Sequence, residues 1–173
     1  LSVLAKKRKV TIVQGLACFS SSHQIAIKRP DEDFIIEYGQ AIIATGSVAK
    51  TLPNLPNDDR IMNSTRALEL IDIPNRLLII GGGIIGLEMA CIYLALGSRI
   101  TIVEFLSDLM LGTDADLVRP LLTRLQHQCD AIYLKTKVAN IEAQKEHLMV
   151  SFEGSEAPRS AHFDRVLVAV GRS

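Results

Sequence analysis

At 173 residues the chain has the size of one ordinary domain, or of one domain with part of another, and its 48% of hydrophobic residues can build a core. The formal net charge is zero and the densest positive run is only Lys6 to Lys9, which reads as the flank of a strand and argues against a nucleic-acid partner. The apolar stretches at residues 77–80 and 166–170 are far too short to cross a bilayer, and no charged-then-apolar leader opens the chain, so a cytoplasmic protein without a membrane partner is expected.

Residues 10–14 alternate weakly and are expected as a strand, broken at Gly15 and followed by a short strand at 17–19. Residues 20–22 make a turn, Gln24–Lys28 a third strand and residues 30–33 another turn. Apolar runs at 34–38 and 40–44 then end at Thr45-Gly46. Short strands joined by tight turns describe an antiparallel meander with too little material to be stable alone. Residues 47–60, with Pro53 and Pro56, read as a linker. Ser64 and Thr65 suit the cap of a short helix at 66–71 with Leu68 and Ile71 on its buried side, and Pro74 forces a restart.

From residue 77 strand and helix alternate. Residues 77–80 form a buried strand, 84–96 a helix apolar on most sides, and Gly97 its left-handed cap. A second strand at 100–103 leads to a helix at 114–128, with Leu117, Leu121, Leu122 and Leu125 at helical spacing. Asp114 is placed to cap that helix and Asp116 lies in its first turn. Short strands at 131–134, 138–143 and 148–152 follow, the last two a hairpin around 144–147. A polar loop at 153–159 precedes a closing strand at 163–170. The pattern is α/β and Rossmann-like: one mixed but mainly parallel sheet, preceded by an antiparallel meander.

Gly81-Gly82-Gly83-Ile84-Ile85-Gly86 fits G-x-G-x-x-G, with a strand before it, a helix starting inside it and an acid closing the next strand. Gly81 permits the tight turn, Gly83 leaves room for a pyrophosphate at the helix N-terminus, and Gly86 lets helix and strand approach. Glu104, 18 residues past Gly86, can accept hydrogen bonds from ribose hydroxyls and repels a 2′-phosphate. Residues 105–108 bring no basic cluster, and Arg99 precedes the strand and is expected in solvent, so NAD is expected over NADP. Glu88 is read at the first turn of its helix, where a helix-field partner and a cofactor-facing group are both open readings.

Cys18, Cys91 and Cys129 form no close pair, and with His23, His127, His147 and His162 they build no metal-ligand cluster. No paired carboxylates or nucleophile–histidine–acid set is evident, and Met110 and Met149 read as fillers. Neither a catalytic residue nor a metal is therefore assigned. Hydride transfer needs an electron-carrying partner for the nicotinamide, so a flavin or another cofactor is implied.

Four stretches carry a resemblance that covers essentially the whole chain. They are Ala44-Thr45-Gly46-Ser47, then Ser64-Thr65-Arg66-Ala67-Leu68-Glu69-Leu70, then Leu78 to Glu88 continuing to Ala95-Leu96-Gly97-Ser98, and Val168-Ala169-Val170-Gly171-Arg172. The sequence resembles the middle of the flavoprotein disulfide reductases (pyridine nucleotide-disulfide oxidoreductases). The stretch from Gly81 to Glu88 with Glu104 points more narrowly to the lipoamide-linked members. The resemblance implies that residues 1–46 belong to an FAD-binding domain, 47–60 to a linker and 61–173 to an NAD-binding domain. It implies that FAD meets the backbone of Thr45, Gly46 and Ser47, and the segment holding Ala17, where relatives commonly have glycine. On the NAD side it implies that Gly81, Gly82, Gly83, Ile84, Ile85, Gly86 and Glu88 follow the pyrophosphate towards the nicotinamide. Glu104 is then at the adenosine ribose, Val138 beside the adenine, and Gly171 in the wall near the nicotinamide.

The same resemblance implies a piece of a longer chain. A redox-active C-x-x-x-x-C pair and a first dinucleotide fingerprint are expected upstream, and a dimerisation domain with a histidine–glutamate acid–base pair downstream. The whole protein is expected to oxidise protein-bound dihydrolipoamide through a disulfide and FAD and to reduce NAD. Its expected state is a homodimer and its expected partners are the lipoylated acyltransferase subunits of 2-oxoacid dehydrogenase complexes. The segment alone is expected to bind NAD(H) at most and to turn over no lipoamide. Another pyridine-nucleotide flavoprotein, such as a soluble transhydrogenase or mercuric reductase, and a free-standing NAD-binding module stay open as alternatives.

Overall fold

A computed structural model describes residues 1–173, which divide into two units, Leu1–Gly46 and Ser47–Ser173. In the first unit the short helix α1 (Ser2–Lys7) precedes β1 (Leu16–Ser21), β2 (Gln24–Lys28) and β3 (Phe34–Glu37). The strands pair antiparallel in that order, with Cys18 opposite Ala26 and Ala26 opposite Ile35. This is the expected meander, but residues 10–14 and 40–44 are not strands. The chain leaves α1 through Lys9 in the left-handed region (φ 57), and the Val10 N–H donates back to the Ala5 carbonyl at 2.9 Å. Residues 40–44 pair with no other strand and leave Ile42 and Ile43 exposed. Ile27 alone is buried in this unit, as expected of a sheet too small to enclose a core.

The second unit opens with β4 (Ile61–Asn63) and α2 (Ser64–Ala67). Asn63, rather than Ser64 or Thr65, caps the helix: its Oδ1 accepts the Arg66 N–H at 3.0 Å. The helix ends at Ala67 and Leu70 turns the chain at φ 48, so Ala67 is the buried residue and Leu68 and Ile71 are exposed, contrary to expectation. Next come β5 (Arg76–Ile80), α3 (Ile84–Ala95), β6 (Arg99–Val103), α4 (Ala115–Gln128) and β7 (Ala131–Tyr133). Gly97, at φ 99, stops α3 as its position predicts. Asp114 occupies the cap position of α4, but its carbonyl, not its side chain, takes the first N–H groups. On α4 Leu125 is buried and Leu121 and Leu122 half-buried, whereas Leu117 is exposed because it lies beyond the edge of the core-facing stripe. No helix is long and apolar enough to cross a membrane.

The chain closes with β8 (Lys137–Ala143), β9 (Leu148–Glu153), β10 (Ser160–Phe163) and β11 (Arg165–Val168). The expected single mixed sheet is two sheets. One is parallel and five-stranded, ordered β4-β11-β5-β6-β7; the other is antiparallel and three-stranded, ordered β10-β9-β8. The expected strand at 163–170 is split by Asp164, whose N–H and Oδ2 both engage the backbone of Arg76, at 2.9 and 2.8 Å. Phe163 ends one sheet and Arg165 begins the other.

Alternate residues of the parallel strands enter different cores, which is why these strands read as unbroken apolar runs. Leu77, Ile79, Ile100 and Ile102 pack with Leu87, Ala90 and Tyr93 of α3 and Leu125 of α4. Leu78, Ile80, Val103 and Val166 pack against Val150, Phe152 and Phe163 of the antiparallel sheet. Each such fully buried Leu or Ile contributes about 1.5–3 kcal/mol. Ile80 is in register with Val103 on one side and Val168 on the other, so the loops after β5, β6 and β11 emerge together. Between β11 and β5 the strand order reverses, the place where open α/β sheets bind ligands.

Candidate functional site

At that edge a cleft of about 1030 Å³ is lined by Gly81, Gly83, Ile84, Ile85, Glu104, Val138 and Gly171, among others. Gly81 sits at φ 111, donates to the Val103 carbonyl at 2.8 Å, and has no space for a side chain beside the Ala169 carbonyl. Gly86 lies against the Gly81 carbonyl, where a Cβ would overlap it. Gly83 is extended and open: a Cβ there would meet nothing within 4 Å, so the space above it belongs to the cleft.

The N-terminus of α3 has no side-chain cap, and the N–H groups of Ile84, Ile85 and Gly86 find no backbone acceptor. Unpaired donors and the positive end of a twelve-residue helix thus meet at an unobstructed glycine. That arrangement fits the pyrophosphate of a dinucleotide.

Glu104 follows β6 directly. Its Oε2 accepts the Gly82 N–H at 2.6 Å and its Oε1 accepts the Leu106 N–H at 2.8 Å. The Glu104 backbone is fixed as well, donating to the Tyr133 carbonyl and accepting from Thr136. A carboxylate offers about four acceptor positions, so two remain for ligand hydroxyls. Phe105, 69% exposed, extends the same wall of the cleft. Arg99 is exposed and paired with Asp130 at 2.8 Å, so the basic group nearest in sequence to the acid is engaged elsewhere.

Glu88 is the fifth residue of α3, in its second turn, because Gly83 is the cap and the helix begins at Ile84. The expected first-turn position is therefore corrected; Glu88 is exposed and does not line the cleft. Gly82 is buried behind the cleft wall rather than facing it. Ala17 lies exposed on β1, opposite Ile27, and Thr45 and Gly46 close the first unit, with Gly46 at φ 75 and open to its surroundings. Ser47 begins the second unit, where Arg172 donates to its Oγ at 2.7 Å and to its carbonyl at 2.6 Å.

Sequence reasoning missed the loop after Glu104. Leu109 is 3% exposed and lies directly over Gly82, so closely that a Cβ on the glycine would overlap its Cδ2, and the Met110 N–H donates to the Gly82 carbonyl at 2.9 Å. A glycine at a fingerprint position that tolerates other residues was the available signal. Leu52 and Leu55, from the stretch read as a linker, also line the cleft. Cys129 is half-buried, and burial first, then neighbouring Cys91 and Asp130, push its thiol up to about 11.

A parallel sheet with a glycine turn, an uncapped helix start and a fixed carboxylate at its switch point defines the class as a dinucleotide-binding α/β protein. Comparison narrows this: a family model of pyridine nucleotide-disulphide oxidoreductases matches residues 1–173, and the chain belongs to that family. A pyridine nucleotide and FAD are the cofactors that membership implies. The chain is 45% identical over 176 residues to a dihydrolipoyl dehydrogenase of Buchnera aphidicola subsp. Schizaphis graminum, covering 100% of this chain and 37% of that protein. It is 42% identical over 174 residues to one of Vibrio cholerae, covering 99% and 36%. Among solved structures it resembles the HOCl-induced flavoprotein disulfide reductase RclA of Escherichia coli, at TM-score 0.77 and 28% identity, over 98% of this chain and 38% of that one. The chain thus spans little more than a third of the length of these relatives.

Proposed function

We propose that this chain is a segment of an NAD-dependent dihydrolipoyl dehydrogenase. Residues 1–46 are part of its FAD-binding domain, 47–60 a linker and 61–173 its NAD-binding domain. The whole protein oxidises protein-bound dihydrolipoamide through a redox disulfide and FAD and passes the electrons to NAD. It works as a cytoplasmic homodimer serving the lipoylated acyltransferase subunits of 2-oxoacid dehydrogenase complexes. Its higher identity to dihydrolipoyl dehydrogenases than to RclA supports the substrate.

The observation that carries the nucleotide assignment is the Glu104 carboxylate, pinned at the mouth of the glycine turn by the N–H groups of Gly82 and Leu106. A bound NAD supplies the ring that accepts hydride; this chain's residues hold and orient it. Gly83, Ile84, Ile85 and Gly86 offer backbone N–H groups to the pyrophosphate, with Gly81 and Gly82 shaping the turn. Glu104 accepts from the adenosine ribose, Val138 flanks the adenine, and Gly171 and Glu88 belong to the nicotinamide end. Thr45, Gly46, Ser47 and Ala17 face the flavin. A 2′-phosphate brings like charge beside Glu104, and unit charges about 4 Å apart repel by about 1–4 kcal/mol between bulk water and a protein surface. Tenfold discrimination takes about 1.4 kcal/mol, which lies within that range.

The test is steady-state oxidation of dihydrolipoamide by the full-length, flavin-loaded protein with NAD or NADP as acceptor. Its kcat/KM for NAD is expected to exceed that for NADP by about tenfold or more. Absence of dihydrolipoamide oxidation would sink the substrate assignment, and preference for NADP would sink the reading of Glu104.

A further inference from the structure

We propose that Leu109 is a positioning residue that sets discrimination against 2′-phosphorylated nucleotides, by holding Gly82 and, through it, the Glu104 carboxylate. The inference rests on reading the cleft as an NAD site. Between Glu104 and Leu125 the loop and the start of α4 are exposed or half-buried, except that Leu109 is buried to 3% exposure. Its Cδ2 lies over the α-carbon of Gly82, and a Cβ on that glycine would also stand 3.3 Å from both Cβ and Oε2 of Glu104. Leucine, glycine and carboxylate therefore form one packed stack.

Three hydrogen bonds tie the same stack together. Gly82 donates to Glu104 Oε2 at 2.6 Å, Leu106 donates to Oε1 at 2.8 Å, and Met110 donates to the Gly82 carbonyl at 2.9 Å. Met110 holds a left-handed backbone (φ 54), uncommon for a residue other than glycine. The Met110 carbonyl also accepts the Thr113 N–H at 2.9 Å, which closes the loop behind it. Both peptide groups of Gly82 are thereby engaged, one by Glu104 and one by Met110, with Leu109 filling the space between.

The consequence concerns selectivity more than affinity. With both oxygens held by backbone donors from two segments, the carboxylate cannot rotate out of the path of an incoming 2′-phosphate. Removing the Leu109 Cδ atoms leaves Gly82 free to tilt and releases Oε2. The carboxylate then turns towards water, so ribose hydroxyls lose an acceptor and a 2′-phosphate loses its repulsion. NADH binding weakens while NADPH binding holds or improves.

The experiment is equilibrium titration of the full-length, flavin-loaded protein with NADH and with NADPH, for the parent and for Leu109→Ala, Leu109→Val and Leu109→Met. In the parent, NADH must bind about tenfold or more tightly; if it does not, the NAD reading fails and this inference falls with it, whereas a preference present in the parent and unchanged in the variants overturns this inference alone. In Leu109→Ala the preference is expected to fall about fivefold to tenfold, mostly through weaker NADH, with Leu109→Val in between and Leu109→Met close to the parent. If Leu109→Ala does not fold, the Val and Met variants decide by the same ratio. Equal weakening of both nucleotides, or an unchanged preference in a folded Ala or Val variant, overturns the proposal and leaves Leu109 a packing residue only.

Discussion

Glu104 Oε2 and the Gly82 N–H lie 2.6 Å apart, so the ribose-binding carboxylate proposed for this site is hydrogen-bonded to the very turn proposed to hold the pyrophosphate. The two recognition elements are one rigid object. A ligand meeting them finds acceptor and donors already placed and need not order them on binding.

The closeness of α3 to the strand before it should be intolerant of a single methyl group. A Cβ on Gly86 would overlap the Gly81 carbonyl, and backbone cannot yield as a flexible side chain can. Gly86→Ala is expected to destabilise the protein by about 1–3 kcal/mol and to weaken NADH binding as the helix start moves. Thermal unfolding with parallel NADH titration checks this; an unchanged melting temperature and affinity would contradict the packing described.

Two leucines separate the core from the surface. Leu78 is fully buried between the two sheets, while Leu68 is 62% exposed beyond α2. Leu78→Ala is expected to cost about 2–5 kcal/mol through the cavity it leaves, and Leu68→Ala no more than about 0.5 kcal/mol. Denaturant unfolding of both variants measures the contrast, and comparable losses would contradict the placement of Leu68.

Acid sensitivity should arise in part from Asp58. Its carboxylate accepts both Nε and Nη2 of Arg60 (2.9 and 2.8 Å), and this hydrogen bonding holds its pKa at about 2, below the ordinary 3.8. A lowered folded-state pKa means stability that is complete above about 4 and is lost as pH falls towards 2. Asp72 is lowered in the same direction by its hydrogen bonds to Arg165. Unfolding midpoints measured from pH 6 to pH 2 should fall less steeply in Asp58→Asn than in the parent. Identical slopes would remove Asp58 from the account.

Where sequence and structure agree, the deciding interactions are local. The run Leu77–Ile80, the glycines after it, Gly97 and Glu104 each announce a strand, turn, cap or strand-end acid within a few residues. The misreadings have non-local causes. β4 is three residues long and owes its existence to pairing with β11, a hundred residues later. Residues 163–170 look continuous in apolarity, but Asp164 is claimed by the Arg76 backbone and divides them between sheets. Asn63, Ser64 and Thr65 are all good caps, and composition does not choose among them. Glycines and acid of the site were legible; Leu109 was not, because its place over Gly82 depends on how the loop from Leu106 to Thr113 folds back.

Competition by two adenosine fragments tests whether Glu104 makes this cleft an NAD site, without any contribution from the nicotinamide. ADP-ribose and its 2′-phosphate would each be titrated against NADH on the full-length protein, in the parent and in Glu104→Gln. ADP-ribose is expected to bind the parent about tenfold or more tightly than its 2′-phosphate, and Glu104→Gln to close most of that gap by admitting the phosphate. Equal or tighter binding of the 2′-phosphate to the parent would contradict it.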